Sequence, residues 1–342
     1  MDIISIEKQK TGAWDEYVRK SPLGGIYHLS CWVTIIKNVF NHNSIQIAAV
    51  ENGEIIGVLQ LIRLKSPLFG DFFVSMPYFN YGGALGNTPE IENSLMEYAN
   101  IMCNKLNVSH IEYRDSQQRD NLPVKHDKIT MFLELPDNEE MLWKSFSSKL
   151  RAQIKRPLKE GVQTIVGGIE LLGDFYSVFS KNMRDLGTPV YPISFFREII
   201  STFAQNSHII VIQHQKQPIA AAFLIGFNGT LEIPWASSLK EYNHISANMA
   251  LYWDTLRLAI THGYHTFDFG RCSRDSGTYK FKRQWGASEK QLYWHYWLKA
   301  DNESLPALNP NNPKYRLAIQ LWQKLPLKIA NFIGPKIVKY LP

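Results

Sequence analysis

Residues 209–225, IIVIQHQKQPIAAAFLI, overlay without a gap on residues 46–62, QIAAVENGEIIGVLQLI, with nearly the same apolar pattern. A repeat constrains the fold more than any other feature, because each copy should build the same supersecondary unit. In the first copy Ile45–Glu51 alternates as a strand, Asn52-Gly53 makes a hairpin turn, and Glu54–Leu64 returns as a longer apolar strand. Thr88-Pro89-Glu90 then supplies N-cap, N1 and N2 of a helix with Ile91, Leu95, Tyr98, Met102 and Leu106 on one face, and a strand over Val108–Tyr113 follows. In the second copy Asn228-Gly229 turns into a strand over Thr230–Ala236. A helix from Ser246 to His262 presents Met249, Trp253, Leu256 and Ile260, Gly263 stops it, and His265–Phe269 is again a strand. The chain therefore reads as two similar α+β halves, residues 1–140 and 141–300, with a linker and tail over 301–342.

With 342 residues, 45% hydrophobic and 20% charged, there is material for two cores, which excludes a disordered tail protein or a fibre. Cys31, Cys103 and Cys272 lie far apart and form no CxxC pair, so a reducing cytoplasm is the expected compartment. The opening MDIISIEKQKTGAW lacks a basic segment followed by an apolar run, and nowhere do eighteen apolar residues run together. Neither a signal peptide nor a spanning helix is expected.

The net charge of +6 is unevenly placed. Ser304–Pro342 carries Lys314, Arg316, Lys324, Lys328, Lys336 and Lys339 with no acidic residue, so residues 1–303 are neutral. Apolar residues interleaved with lysines suit either an anionic membrane surface or a helix packed on the first half with its lysines outward. Pro326 and Pro335 should break the tail into short helical pieces, and 301–313 reads as a linker. Within the neutral body two strips are basic. Residues 144–160 hold Lys144, Lys149, Arg151, Lys155, Arg156 and Lys159 against Glu160, and residues 271–283 hold Arg271, Arg274, Lys280, Lys282 and Arg283 against Asp275.

No HExxH, CxxC, GxSxG, Walker loop or GxGxxG occurs, which counts against metalloproteases, α/β-hydrolases, P-loop enzymes and Rossmann dehydrogenases; no metal is expected. The densest chemistry lies in FDFGRCSRDSGTYKFKRQWGA, Phe267–Ala287. A strand ends, Gly270 turns the backbone, and Arg271, Ser273, Arg274, Asp275, Ser276 and Gly277 follow before Tyr279, Lys280 and Lys282. Cations beside small residues at a strand's carboxyl end suit a phosphate-bearing ligand, while an exposed loop with an Asp275 ion pair is the plainer alternative.

Residues 145–161 (SFSSKLRAQIKRPLKEG), 181–191 (KNMRDLGTPVY) and 266–287 resemble the Fem family, aminoacyltransferases that build peptidoglycan interpeptide bridges from aminoacyl-tRNA. They are most similar to its FemAB-related branch, associated with exosortase and exopolysaccharide systems. The likeness extends to Ser66–Gly70, to Asn80-Tyr81-Gly82-Gly83 and to the LPLKIANFIGPKIVKYLP ending. It implies two tandem GNAT-like domains with a cleft between them, in line with the repeat. The family's K-x-R-x-x-I-[KR] helix and following K-x-G fall on Lys149, Arg151, Ile154, Lys155, Lys159 and Gly161, with Pro157 a departure that should kink or end the helix. Its F-K-x-x-[FW]-G motif falls on Phe281, Lys282, Trp285 and Gly286; in bridge-forming members this lysine faces the donor's terminal nucleotide and assists transfer. The long coiled-coil insertion of some bridge enzymes is not visible.

The resemblance thus implies acyl transfer to an amine or hydroxyl of a cell-envelope or lipid-linked precursor, related to peptidoglycan or exopolysaccharide, with no bound cofactor. Aminoacyl-tRNA or acyl-CoA would be the donor. Arg274-Asp275-Ser276-Gly277-Thr278-Tyr279 half-fits the [RQ]-x-x-G-x-[GA] loop that grips CoA pyrophosphate, and Tyr279 breaks the last position. Lys282 is assigned to charge stabilisation, Asp268 to accepting a proton or to capping a turn, and Tyr279 and Tyr191 to orienting the acceptor. Arg151, Lys155, Arg184, Arg271, Arg274, Ser276, Gly277 and Lys280 are the expected substrate contacts. A GNAT pair without activity, serving as a binding subunit, is the non-enzymatic alternative.

Overall fold

A computed structural model describes residues 1–6, 11–120, 122–299, 305 and 313–342; most of the expected 301–313 linker lies outside them. In chain order the elements are β1 (Asp2–Ser5), α1 (Thr11–Lys20), α2 (Cys31–Phe40), β2 (Asn43–Glu51), β3 (Glu54–Ser66), β4 (Gly70–Val74), β5 (Leu85–Gly86), α3 (Pro89–Lys105), β6 (His110–Asp115), β7 (Val124–Lys125) and β8 (Ile129–Glu134). They continue with α4 (Glu139–Ser145), α5 (Ser148–Lys159), β9 (Gln163–Gly167), α6 (Leu172–Leu186), α7 (Ile193–Thr202), β10 (Ser207–His214), β11 (Gln217–Phe227) and β12 (Thr230–Ser238). Then come α8 (Ala247–Thr261), β13 (Thr266–Cys272), α9 (Gly277–Arg283), β14 (Ser288–Gln291), β15 (Tyr293–Leu298), α10 (Pro313–Gln323) and α11 (Leu327–Val338).

Two compact units result, the first Met1–Ile129, Gln291–Ala307 and Lys339–Pro342, the second Thr130–Lys290 and Leu308–Val338. Both boundaries fall earlier than the 140/141 and 300/301 positions expected, because strand pairing ignores the linear repeat. β8 pairs in the second sheet, ordered β14-β8-β13-β12-β11-β10-β9, and β15 pairs in the first, ordered β1-β2-β3-β4-β6-β15-β7.

The repeat itself is structural. In each unit an antiparallel meander ends in a parallel pair, β4 with β6 and β12 with β13. β2–β3 slips register between Ala49 and Val50, and β10–β11 slips between Ile212 and Gln213, the same step of the overlay. Asn52 and Gly53 turn with φ of 51° and 84°. Their counterparts Gln215 and Lys216 adopt the same left-handed pair, at 51° and 63°, with side chains ill suited to it. Replacing Gln215-Lys216 by Asn-Gly should therefore raise unfolding free energy by roughly 1–2 kcal/mol. An unchanged or lower denaturation midpoint would show that the turn is not strained.

In the first unit α3 lays Leu95, Met96, Ala99 and Cys103 on Ile47, Leu59 and Leu61, with Ile91, Tyr98 and Met102 at the margin. Leu106, expected on this face, caps the helix and is exposed, whereas Glu92 is buried. The second core is aromatic: Phe175, Phe179, Phe196, Phe223 and Trp235 meet with ring centroids 4.9–5.8 Å apart. In α8, Met249 and Leu256 are buried as expected, while Trp253 and Ile260 sit at the margin and Leu251, Thr255 and Ala259 join the core. In the last turn of α5, Pro157 is buried in line with Leu150 and Ile154, and the helix runs two residues past it.

The tail forms α10 and α11, and both pack on α6 within the second unit, not on the first half. Only Lys339–Pro342 belongs to the first unit, where the Lys339 carbonyl accepts hydrogen bonds from Tyr78 Oη (2.7 Å) and His42 Nε2 (2.7 Å).

Candidate functional site

The parallel ladder between β12 and β13 pairs Thr230–Glu232 with Thr266–Asp268 and stops there. β12 continues to Ser238 and β13 to Cys272, so past Glu232 and Asp268 the two edges are no longer paired with each other. Main-chain groups released from a ladder need other partners, which an extended ligand is able to supply.

Gly270, at φ 72°, turns β13 at this point. Asp268 fixes the turn: its buried Oδ1 accepts from Gly270 N at 2.7 Å and from Thr130 Oγ1 at 2.7 Å. This is the turn-capping arrangement. Ser276 caps α9, its Oγ accepting from Tyr279 N at 3.0 Å, and Gly277 opens the helix with open space around its Cα. The helix turns Lys282 inward. At 3% exposure its Nζ donates to the carbonyls of Gly270 (2.7 Å) and Arg271 (2.9 Å), which leaves the third N–H without a partner among the described residues. Burial pulls the Lys282 ammonium down to about 8, against the opposing pull of Cys272, Asp268 and Glu232. At neutral pH it is a cation held by the two carbonyls.

Aromatic packing joins the two basic strips. Tyr252 on α8 lies 5.7 Å from Phe269, 4.9 Å from Phe281 and 6.2 Å from Trp285, and Trp285 meets Phe146 edge-on at 5.5 Å. Phe146 leads directly into α5, where Arg151 Nη1 donates back to its carbonyl at 3.0 Å and Lys155 lies over the Trp143 ring at 5.6 Å. Arg271, Arg274 and Lys280 are exposed, with Arg274 3.3 Å from Glu289. That surface pair contributes little to stability. Tyr279 is half-exposed, its hydroxyl accepting from Arg283 Nη1 at 3.3 Å.

Tyr191 and Arg184 stand elsewhere in the same unit. Tyr191 packs on Phe195 at 5.4 Å and Trp235 at 6.2 Å, beside the stretch of β12 that no longer pairs with β13. Arg184 is engaged in holding the tail, with Nε to Asp185 Oδ1 at 2.6 Å and Nη1 to the Leu325 carbonyl at 3.0 Å.

Sequence reasoning passed over Glu232 and Thr130. Glu232 is buried in register with Asp268, and the sequence signal was a carboxylate in the middle of an apolar strand. It also passed over a small polar pocket in the first unit, of about 40 Å³, lined among others by His28, Gly82, Gly83, Glu92, Asp115 and Arg119. Arg119 bonds Glu92 (2.8 Å) and Asp115 (3.0 Å). Its backbone N–H donates to His295 Nε2, so Nδ1 carries the proton donated to Asp115 Oδ2 at 3.0 Å. Behind it Arg114 Nε bonds Glu112 at 2.8 Å, and the Tyr296 hydroxyl donates to the same carboxylate at 2.7 Å. Burial pushes the Glu112 carboxyl up, but Arg114 and Tyr296 outweigh it and hold the group below the ordinary range. The signal was HIEYRD, a strand with His110, Glu112 and Arg114 at alternate positions and Asp115 at its end.

Residues 144–283 match the family of GNAT acetyltransferase domains. Among curated proteins no sequence matches. Solved structures of similar fold include FemX, with TM-score 0.65, 17% identity, and coverage of 86% of this chain and 97% of that one. L-PGS from Bacillus licheniformis follows at 0.56 and 12%, covering 94% and 98%. A tandem GNAT protein from the clavulanic acid biosynthesis pathway aligns at 0.55 and 9%, covering 88% and 99%. At such identities the likeness establishes the fold: two tandem GNAT-like domains, as the repeat and the family resemblance implied.

Proposed function

We propose that the protein is an acyltransferase that moves an aminoacyl or acyl group from an ester or thioester donor to an amine or hydroxyl of a cell-envelope precursor of the peptidoglycan or exopolysaccharide type. The observation that carries this reading is Lys282, a buried ammonium held by two carbonyls where β12 and β13 part, with one N–H left over. Its positive charge there suits the oxyanion that forms when the acceptor attacks the donor carbonyl. The new C–N or C–O bond forms, the donor's C–O or C–S bond breaks, and the acceptor's proton leaves with the departing group or to solvent. Arg271, Arg274 and Lys280 would meet the donor's phosphates from the exposed side, and Arg151 and Lys155 would extend that surface along α5. Tyr191 and Tyr279 are the groups proposed to orient the acceptor.

The donor is proposed to be aminoacyl-tRNA or acyl-CoA, with the reaction in the cytoplasm. Residues 274–279 keep acyl-CoA as the second reading, since Arg274 and the capped turn at Ser276-Gly277 fit the first half of a pyrophosphate loop. Charged tRNA and acyl-CoA, each offered with envelope precursors and followed by mass spectrometry, should give product from one donor only. A tRNA donor should lose binding steeply with salt, by about 10³-fold or more between 50 and 200 mM if six or more phosphates are held. A folded protein that binds neither donor would overturn the proposal and leave the binding-subunit alternative.

A further inference from the structure

The two helices of the tail bury one side and leave the other conspicuously apolar. On α11, Ala330, Gly334 and Val338 recur every fourth residue and are buried. A Cβ at Gly334 would lie 2.9 Å from Val190 N, so the helix is pressed against the segment after α6. On α10, Ile319 packs on Gly187 so closely that a Cβ there would come within 2.4 Å of its Cγ2. The bond from Arg184 to the Leu325 carbonyl pins the joint between the helices.

The opposite side of each helix turns away from α6. On α11 it carries Lys328, Ile329, Phe332 and Lys336; Phe332 is 67% exposed, with Lys336 Nζ 3.8 Å above its ring. On α10 it carries Leu317 and Leu321, 59% and 58% exposed, flanked by Arg316 and Lys324. Large apolar side chains this exposed, set among cations, are uncommon on a surface that stays in water. Residues 304–342 contain no carboxylate. The two helices therefore contribute charge complementarity for an anionic partner.

We propose that the outward faces of α10 and α11 dock on an anionic lipid bilayer, lying in the headgroup region. Leu317, Leu321, Ile329 and Phe332 would enter the acyl boundary, and the lysine stems would run along it with their ammonium groups at the phosphates. Among the described residues no helix is long and apolar enough to cross a membrane, so the contact is peripheral. Nucleic acid would match the charge, but it offers nothing to the aliphatic side chains. That distinction favours lipid. The inference is independent of the acyl-transfer reading, since it rests on the tail alone.

Co-sedimentation of the full chain with vesicles of phosphatidylcholine containing phosphatidylglycerol tests it. The protein should sediment with these and not with phosphatidylcholine alone, and rising salt should weaken the association. Each basic residue removed should lower partitioning about fivefold, so Lys328→Gln with Lys336→Gln should lower it roughly 25-fold. Leu321→Glu with Phe332→Glu should abolish it while circular dichroism and the melting temperature stay those of the wild type, because both side chains are exposed. Absence of sedimentation with anionic vesicles, or undiminished sedimentation of the folded variants, would overturn the proposal. So would complete displacement by an RNA oligonucleotide that binds the Leu321/Phe332 variant as tightly as the wild type.

Discussion

Replacing Lys282 by methionine should lower acyl transfer by on the order of 10²-fold or more while the protein remains folded. Methionine keeps the length and most of the volume of the lysine stem, so Tyr252, Phe281 and Trp285 keep their packing. What disappears is the cation over the Gly270 and Arg271 carbonyls. The wild-type rate should itself fall as pH rises through about 8, where Lys282 loses its proton. Unfolding would not explain that fall. The folded-state value is depressed, so between about 8 and the unfolded value of 10.5 the unfolded chain holds more protons, and this group's contribution to stability rises with pH. A rate that climbed above pH 8 would mean that the neutral amine is the working form, as a base. Wild-type turnover by the methionine variant would remove Lys282 from the mechanism altogether.

A comparably large effect on stability is expected at Arg114. Arg114→Met should cost roughly 3–5 kcal/mol, because it strands Glu112 as a buried carboxylate supported by the Tyr296 hydroxyl and the weaker pull of Lys125. Pairing it with Glu112→Gln should restore most of the loss, since removing both charges also removes the desolvation cost. Denaturant unfolding of the two variants, followed through first-unit tryptophans, measures this directly. A single variant that loses less than about 1 kcal/mol would show that water, not Arg114, satisfies the carboxylate.

Hairpin and helix positions were legible wherever local chemistry is strong. Asn52-Gly53 and Asn228-Gly229 announce their turns because both residues tolerate positive φ, and Thr88-Pro89 announces α3 because proline suits a first helical turn. Gln215-Lys216 announces nothing, and only the overlay on the first copy places its turn. At the site, the basic strips and Lys282 could be read from residue type and motif. Their approach could not, because it runs through the contact of Phe146 with Trp285, far apart in sequence. For Asp268 the sequence left two roles open, and its hydrogen bonds with Thr130 and Gly270 come from segments no local pattern brings together. Arg184 reads as a substrate contact by residue type, and a cation in a polar segment gives no sign of the carbonyl it meets in the tail.

Taken by itself, the sequence determined that the chain is a repeated α+β unit with a neutral body and a basic tail. Those properties follow from local periodicity, turn residues and charge, which act over a few positions. The tertiary structure decided which strands complete each sheet, which side of the tail is buried, and that Lys282 lies inside, held by the Gly270 and Arg271 carbonyls. β8 and β15 join sheets outside their own linear halves, and a lysine's burial depends on neighbours drawn from β13 and α9 together. Pairing and desolvation of this kind are set by contacts distant in sequence, so no local pattern specifies them.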